Sequence, residues 1–380
     1  MGSMMKALIP LHIISVCLGI TTFKVDSKGY GKSRWRKYVI LTVICFYFVA
    51  ASVSAYFFAL TSPSLIPQTF LLEYVFGYFQ IITIWGSAIY YQDLHLELMA
   101  ALSVVDKRLH KLGIWLFYAD LKKYVLRRIL FHVGAIIVII SLQLYTDRNM
   151  RFGSKETIFF MALFYVPIII SFGVVENIGI FINILKERFK ILNAQVEELK
   201  GDNVGDSKKL DVLRLVCPIH LELTHLAKGI SRCFGFTLLL TFSVNFITIM
   251  IGCYIICVAF QYLNRNLVLI VVPQTLLGIA TYLVNTYYLC YCGQSVVREC
   301  NRTGLLLHAL DFEEIKVKDQ IQMFSMQILN EDLQFTAAGF FSVDYSLLFS
   351  IIGGLTTYII ILIQFSTNSG ESINRYYENA

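Results

Sequence analysis

Long apolar stretches separated by charged connections dominate the pattern of this chain. Seven of them approach or exceed the ~20 residues that an α-helix needs to cross a bilayer. They run over residues 38–60, 69–91, 129–145, 157–185, 236–260, 267–289 and 347–365. The pattern predicts an all-α membrane protein with seven transmembrane helices, which we number as the first to the seventh span.

The composition agrees with a chain that lies mostly in a membrane. Of the 380 residues, 57% are hydrophobic and 15% are charged, and the mean hydropathy is +0.64. A soluble domain usually carries about 25% charged residues. Little of the chain is therefore left for a separate soluble domain.

The basic residues predict how the spans are oriented. All but five of the 32 Lys and Arg residues lie before the first span or in the connections after the second, fourth and sixth spans. The exceptions are Arg148, Arg151, Lys155, Arg265 and Arg375. Basic connections stay in the cytosol. We therefore expect a cytosolic N-terminus, an extracellular C-terminus and long cytosolic extensions, the reverse of a G-protein-coupled receptor.

This orientation divides the chain into four parts. Residues 1–37 would form a cytosolic N-terminal tail, for which cleavage as a signal peptide is the alternative. Residues 38–310 would hold the first six spans with a ligand-binding bundle and cytosolic extensions. Residues 311–366 would form a cytosolic anchor helix and the seventh span, and residues 367–380 an extracellular tail.

The long cytosolic connections are expected to be helical. Apolar residues recur at helical spacing in residues 210–234 and 313–333, which predicts amphipathic helices with packing partners. Pro218 would bend the first of these helices or mark its start. The nine cysteines avoid the predicted outer connections and lack zinc-site spacing, so we interpret them as packing residues.

The end of the seventh span carries the most informative motif. Thr357-Tyr358 is followed by five aliphatic residues and then by Gln364-Phe365. A buried amide without partners costs roughly a few kcal/mol in hydrocarbon. Gln364 should therefore face protein or water, although an interfacial position near headgroups would also satisfy it.

This motif and the preceding block, residues 335–353, resemble the signature of insect gustatory receptors, which are related to insect odorant receptors. The resemblance implies a ligand-gated, non-selective cation channel that assembles as a tetramer, with the last helix lining the pore. It assigns the pore lining to Ile361 and Gln364. It also implies that a cytosolic helix over roughly residues 311–339 anchors the subunits centrally.

The same resemblance sets expectations for partners and location. It implies a small-molecule tastant, the lipid bilayer of gustatory receptor neurons, and other gustatory receptor subunits in a homo- or hetero-tetramer. No catalytic residue, cofactor, metal or nucleic-acid partner is expected. A chemosensory subunit that needs a co-receptor is the alternative. The sequence leaves the tastant open, and a bitter or undefined compound is the default.

A tastant entering from outside would bind in the outer halves of the second to sixth spans. The candidates there are Glu73, Tyr145, Tyr165 and Gln274. A carboxylate in a membrane is usually functional or paired, so Glu73 would contact a cationic or hydroxyl-rich ligand, pair within the protein or lie at the rim. Gln274 has an interhelical hydrogen bond as its alternative. Glu176, nearer the cytosol, should pair with Arg128 or His132.

Three other classes of membrane protein fit the sequence less well. A G-protein-coupled receptor conflicts with the predicted orientation. An inverted seven-helix zinc hydrolase would need several His and Asp residues in the spans, whereas His132 is the single His there. A transporter built on an inverted repeat would show paired broken helices in its two halves, and none repeats.

Overall fold

The computed structural model describes residues 2–26, 29–61, 65–149, 166–200, 205–262, 265–310 and 314–367. Ten helices and two short antiparallel hairpins make up this described part. In chain order they are α1 (Gly2–Cys17), β1 (Lys24–Asp26), β2 (Gly29–Gly31), α2 (Arg34–Thr61), α3 (Leu65–Tyr90), α4 (Gln92–Lys111), α5 (Tyr118–Asn149), α6 (Val166–Glu198), α7 (Asp206–Tyr262), α8 (Arg265–His308), α9 (Ile315–Asn330), β3 (Thr336–Ala337), β4 (Phe341–Ser342) and α10 (Tyr345–Thr367).

Each of the seven predicted spans overlaps a helix. Within the described residues, four helical segments are long and apolar enough to cross a membrane: Tyr118–Leu142, Val166–Glu198, Asp206–Gln261 and Arg265–His308. Shorter apolar segments are Met4–Cys17, Val75–Tyr90 and Tyr345–Ile361. Residues 157–165 of the fourth predicted span and residues 368–380 of the predicted tail lie outside the described residues. The chain is a helical, multi-pass membrane protein, and the count of seven spans remains a prediction.

The centre of the fold is the α6 helix, packed between α7 and α8. Its apolar side chains are almost fully enclosed, including Ile178, Ile182 and Leu185. The α7 helix runs unbroken for 57 residues, about 85 Å at 1.5 Å per residue. The predicted cytosolic helix over residues 210–234 is its first half. Pro218 lies inside α7, so its alternative role as a helix start is wrong.

The N-terminal segment is part of the core rather than a free tail. Met4, Leu8 and Leu11 of α1 are buried. After α1 the chain turns back, and the Trp85 indole N–H donates to the Leu18 carbonyl oxygen over 2.9 Å. The Thr22 hydroxyl donates to the Ala88 carbonyl oxygen over 3.0 Å. Apolar burial and these hydrogen bonds therefore fix the segment against α3.

The helix before the last predicted span, which was expected to be a cytosolic anchor, is shorter than predicted. It ends at Asn330, and the chain then forms the β3–β4 hairpin, so the expectation of an anchor helix up to residue 339 is corrected. Ala338 and Gly339 have φ angles of 52° and 80°, which a helix does not accommodate. A Cβ atom on Gly293 of α8 would lie 2.3 Å from the Val343 carbonyl oxygen. Only glycine at this position allows so close an approach of the chain that leads into α10.

Candidate ligand site and pore helix

Glu73 points between three helices. Its carboxylate accepts a hydrogen bond of 3.0 Å from the Thr248 hydroxyl of α7. The hydroxyl of Tyr282 on α8 also bonds to Thr248 and lies close enough to Glu73 to interact with its charge. The carboxylate is thus held by protein groups, as in the alternative in which Glu73 pairs within the protein. Polar contacts of this kind lower the cost of an acid in the membrane.

A second polar contact follows the same two helices. The Gln80 amide donates to the hydroxyls of Thr241 on α7 and Ser171 on α6, both over 3.0 Å. Gln80 lies two helical turns after Glu73 on α3, and Thr241 lies two turns before Thr248 on α7. The helices therefore run antiparallel with polar contacts in matching register, and such contacts hold helices together in a membrane.

Aromatic rings continue from this cluster towards α5. The Tyr282 ring lies parallel to Phe172 of α6, with ring centroids 6.5 Å apart and an interplanar angle of 20°. Phe172 in turn contacts His132 of α5 at 5.5 Å. Packed side chains therefore connect the surroundings of Glu73 to the polar group around His132.

Glu176 is the centre of that second polar group. Its side chain is only 5% exposed. The Arg128 guanidinium donates to both carboxylate oxygens, with the Nε contact at 3.1 Å, and His132 Nδ1 lies 3.1 Å from Oε1. The predicted pairing is confirmed with both partners. The guanidinium also stacks 3.9 Å above the Tyr288 ring of α8, so the buried charges tie three helices together.

The α10 helix packs against α7 through one face. The Tyr358 ring meets Phe246 edge-on at 6.0 Å, and a Cβ atom on Gly354 would lie 3.2 Å from the same ring. Ile351, on this packed side, is 7% exposed. The start of α10 also packs against α8, where the Tyr345 ring stacks on Tyr287 with centroids 6.0 Å apart, and the side described next is exposed in the single chain.

A stripe of small and polar residues runs along the open side of α10. Ser350, Gly353, Thr357, Ile361 and Gln364 are all exposed and recur at helical spacing. We call them the α10 stripe. The hydroxyls of Ser350 and Thr357 donate to carbonyl oxygens one turn earlier, over 3.1 and 3.4 Å. Ile361 and Gln364 are predicted from the motif, and the same helical period continued towards the helix start adds Ser350 and Gly353.

The other predicted ligand residues are more scattered. Tyr145 is 59% exposed on the surface of α5, and Gln274 is half-buried on α8, roughly 12 Å along the helix from Tyr282. Tyr165 and the side chain of the motif residue Phe365 lie outside the described residues. The structure instead surrounds Glu73 with Thr248 and Tyr282, two residues that the sequence patterns do not single out. The signal in the sequence that could have identified Thr248 is its hydroxyl within the apolar fifth span, residues 236–260.

This bundle, with a polar cluster between membrane helices and a final helix carrying the signature motif, is that of a membrane receptor. The chain belongs to the 7tm chemosensory receptor family, whose sequence profile matches residues 8–369. The resemblance to gustatory receptors is thereby confirmed. The family consists of receptors and not enzymes, which excludes the membrane hydrolase.

Similar proteins of Drosophila melanogaster are gustatory receptors. Gustatory receptor 68a is 23% identical over 58% of this chain and 58% of its own length. Gustatory receptor for bitter taste 66a is 26% identical over 43% and 32% of the two chains. Putative gustatory receptor 28b is 39% identical over 23% and 19%. The matching segments thus span less than two thirds of these relatives.

The fold is similar to that of a solved insect olfactory receptor. The structure of OR5 from Machilis hrabei in complex with eugenol superposes with a TM-score of 0.66 at 18% identity, covering 95% of this chain and 98% of that one. A second structure of OR5 gives a TM-score of 0.60 at 15% identity, with the same coverage. The arrangement of helices is therefore shared across 95% of this chain.

Proposed function

We propose that this protein is a gustatory receptor subunit that forms a ligand-gated cation channel, with four copies of α10 around the pore. The α10 stripe carries the proposal. Lipid tails favour apolar side chains, yet this face of an apolar helix presents hydroxyls, a glycine and the Gln364 amide. A water-filled pore is an environment in which such a face is stable.

Two rings of side chains would control the pore. Four copies of Ile361 would close it by dewetting, since water leaves a narrow apolar constriction. Four copies of Gln364, one turn further along, would offer amide dipoles to a hydrated cation without a fixed charge. That arrangement suits weak selectivity among cations. Ser350 and Thr357 would line the wider part on the cytosolic side.

The tastant would bind around Glu73, in the outer half of the bundle. Thr248 and Tyr282 supply hydroxyls beside the carboxylate, and Tyr145, Tyr165 and Gln274 remain proposed contributors. A carboxylate flanked by hydroxyls favours a cationic or hydroxyl-rich ligand. The complex of OR5 with eugenol supports a small-molecule site in this fold.

The α7 helix offers a short route from this site to the pore. Thr248 contacts Glu73, and Phe246, within the same helical turn, contacts Tyr358 of α10. A ligand that competes for the Glu73 carboxylate would shift the turn of α7 that supports α10. Ligand binding and opening would then be linked, because the ligand favours one packing of α7 over another.

The remaining features of the proposal follow from charge and family. The N-terminus would be cytosolic and the C-terminus extracellular, in the plasma membrane of gustatory receptor neurons. The antiparallel pairing of α3 with α7 is consistent with alternating second and fifth spans, and the basic connections carry the choice of a cytosolic N-terminus. The tetramer would contain this chain alone or with other gustatory receptor subunits.

The decisive experiment is expression of this chain alone in cells with no other chemosensory subunit. Calcium imaging against bitter compounds and sugars would identify an agonist, and outside-out patches would then be tested with it. We expect agonist-evoked unitary currents without added nucleotide. Responses that require a G protein and lack unitary currents would contradict the channel. Currents that arise only with a second subunit would favour the co-receptor alternative.

A further inference from the structure

A cavity of about 310 Å³ lies on the cytosolic side of the predicted membrane, away from Glu73. Four parts of the chain enclose it: the N-terminal helix α1, strand β2, the last turns of α4, and the connection from α4 into α5. Its walls include Met4, Tyr30, Ser103, Lys107, Trp115 and Tyr118. None of these residues belongs to the proposed tastant site or to the α10 stripe.

The acidic group in the cavity is already neutralised. Asp106 is buried and accepts two hydrogen bonds from Arg188 of α6, over 3.1 and 3.3 Å. The Tyr118 hydroxyl donates to the same carboxylate over 2.7 Å. A bidentate pair of this kind leaves no net charge at the base. The charge that a ligand would meet therefore comes from the rim.

The rim is basic and aromatic. Lys107 and His110 are exposed one turn apart on α4, and the Trp115 ring packs edge-on against His110 with centroids 4.2 Å apart. Arg108, between them in sequence, is already paired with Glu222 of α7 over 3.0 Å. Lys107 and His110 are thus the groups that can meet an anion at the entrance.

The Tyr30 hydroxyl points to a missing partner. It is buried, and no residue in the described part of the chain accepts or donates a hydrogen bond to it. Burial and the nearby Asp106 raise the pKa of Tyr30 to about 12, so the hydroxyl keeps its proton and can donate. An unsatisfied buried hydroxyl costs about 1–3 kcal/mol, which a bound acceptor would remove.

We propose that this cavity binds an anionic amphiphile. Its carboxylate or phosphate would lie at the rim beside Lys107 and His110 and accept a hydrogen bond from the Tyr30 hydroxyl, and its apolar chain would cover Met4 and the Trp115 ring. Small-molecule pockets start at about 300 Å³, and they combine apolar walls with a few placed polar groups. Because α1 and β2 form part of the wall, the occupied site holds the N-terminal segment against α4.

Two sources could supply such a ligand, a free fatty acid from the cytosol or an anionic phospholipid of the inner leaflet. The test uses the full chain in phosphatidylcholine nanodiscs with dodecanoate that carries a diazirine at its apolar end. After illumination, peptides are mapped by mass spectrometry. We expect labelling in residues 103–118 and in the peptide around Met4 or Tyr30, competed by excess dodecanoate and absent with the methyl ester of the probe.

Substitutions make the test specific. Lys107→Glu should reduce this labelling about tenfold, the effect of losing one charge-assisted hydrogen bond. Lys122→Glu, on the exposed face of α5 and outside the cavity, should leave it unchanged. Ser103→Phe, which fills the cavity from α4, should abolish it; a gel-filtration profile like that of the parent verifies folding.

Competition between the dodecanoate probe and phosphatidylserine distinguishes the two sources of the ligand. Loss of labelling when phosphatidylserine replaces part of the phosphatidylcholine assigns the site to the phospholipid, and unchanged labelling assigns it to the free acid. Labelling spread over the lipid-facing surfaces of α2 and α5, or labelling of residues 103–118 that persists in folded Lys107→Glu and Ser103→Phe proteins, would overturn the proposal.

Discussion

Thr248 donates its hydroxyl hydrogen to the Glu73 carboxylate across 3.0 Å, joining α7 to α3 in the predicted outer half of the bundle. The contact explains how an acidic side chain is accommodated among apolar helices. It also places the candidate ligand group against the helix that supports α10. The prediction that follows most directly concerns this pair.

Substitutions of Glu73 and Thr248 should have non-additive effects on the half-maximal agonist concentration. We expect Glu73→Gln and Thr248→Val each to shift the half-maximal agonist concentration about three- to tenfold. The double variant should shift it less than the two effects multiplied, because contacting residues couple by about 0.5–3 kcal/mol. Calcium imaging of surface-expressed receptor gives these values. Thr286→Val on α8, whose partner is Asn245, is the matched control, and independent effects of the two substitutions would contradict this coupling.

The pore assignment predicts distinct effects for two neighbouring residues. Ile361→Ala should increase the current without agonist, since a smaller side chain lets water into the constriction. Gln364→Ala should change the relative permeability to sodium and calcium. Patch-clamp recording measures both. Ile352→Ala, an exposed position on the side opposite the stripe, is the control. Currents that match the parent protein in both stripe variants would exclude this face as the pore lining.

The Arg128–Glu176 pair should matter for folding. Arg128→Ala leaves a buried carboxylate without its main partner, which costs about 3–5 kcal/mol. We expect a large fall in the melting temperature of the detergent-solubilised protein and a loss of surface expression. Lys123→Ala provides the comparison, because its partner Asp120 lies on the exposed surface of α5 and such pairs contribute under about 1 kcal/mol. Equal effects of the two substitutions would be inconsistent with a structural role for the buried pair.

Acid should destabilise the predicted cytosolic half of the protein through His220. This side chain is 2% exposed between Phe189 and Phe324, and burial lowers its pKa to about 4, partly opposed by a hydrogen bond to the Cys300 carbonyl oxygen. In the unfolded chain it is protonated below its usual pKa of about 6.5. Stability is therefore complete above pH 6.5 and declines as the pH falls towards 4, by about 3 kcal/mol in all.

The measurement is a melting curve between pH 7.5 and pH 4.5, values chosen to bracket the usual pKa of about 6.5. His220→Phe should flatten the dependence of the melting temperature on pH, although it loses a hydrogen bond at neutral pH. His95→Phe is an informative companion. Burial also lowers the pKa of His95 to about 4, and neither of its ring nitrogens has a partner among the described residues. Its replacement should flatten the curve without that loss at neutral pH.

Side-chain pairing was predictable from the sequence where a charged residue lies in an apolar helix and needs an oppositely charged partner. Glu176 sits in an apolar helix, and the preceding span offers Arg128 and His132 on one face, so their pairing followed from charge alone. The partner of Glu73 could not be found in this way. Thr248 is 175 residues away, and only the packing of α3 against α7 brings the two together.

Two backbone features were also beyond the sequence patterns. The apolar spacing before the last span predicts a helix, but it does not reveal that Ala338, a good helix former, adopts a left-handed conformation in a turn. The N-terminal segment has mixed polarity and a proline, which suggested a tail. Its apolar residues, such as Met4, Leu8 and Leu11, can be identified as core residues only once the helices that bury them are known.

The two contacts between α3 and α7, Glu73 with Thr248 and Gln80 with Thr241, have a mechanical consequence. Both would break together if one helix slid along the other, because they share one register and lie two turns apart. A displacement of a full turn would separate Glu73 from Thr248 and Gln80 from Thr241 at the same time. Piston-like travel of α3 is therefore blocked, and the motions that remain inexpensive are rotation of a helix about its axis and a change of tilt that opens one contact while the other serves as the pivot.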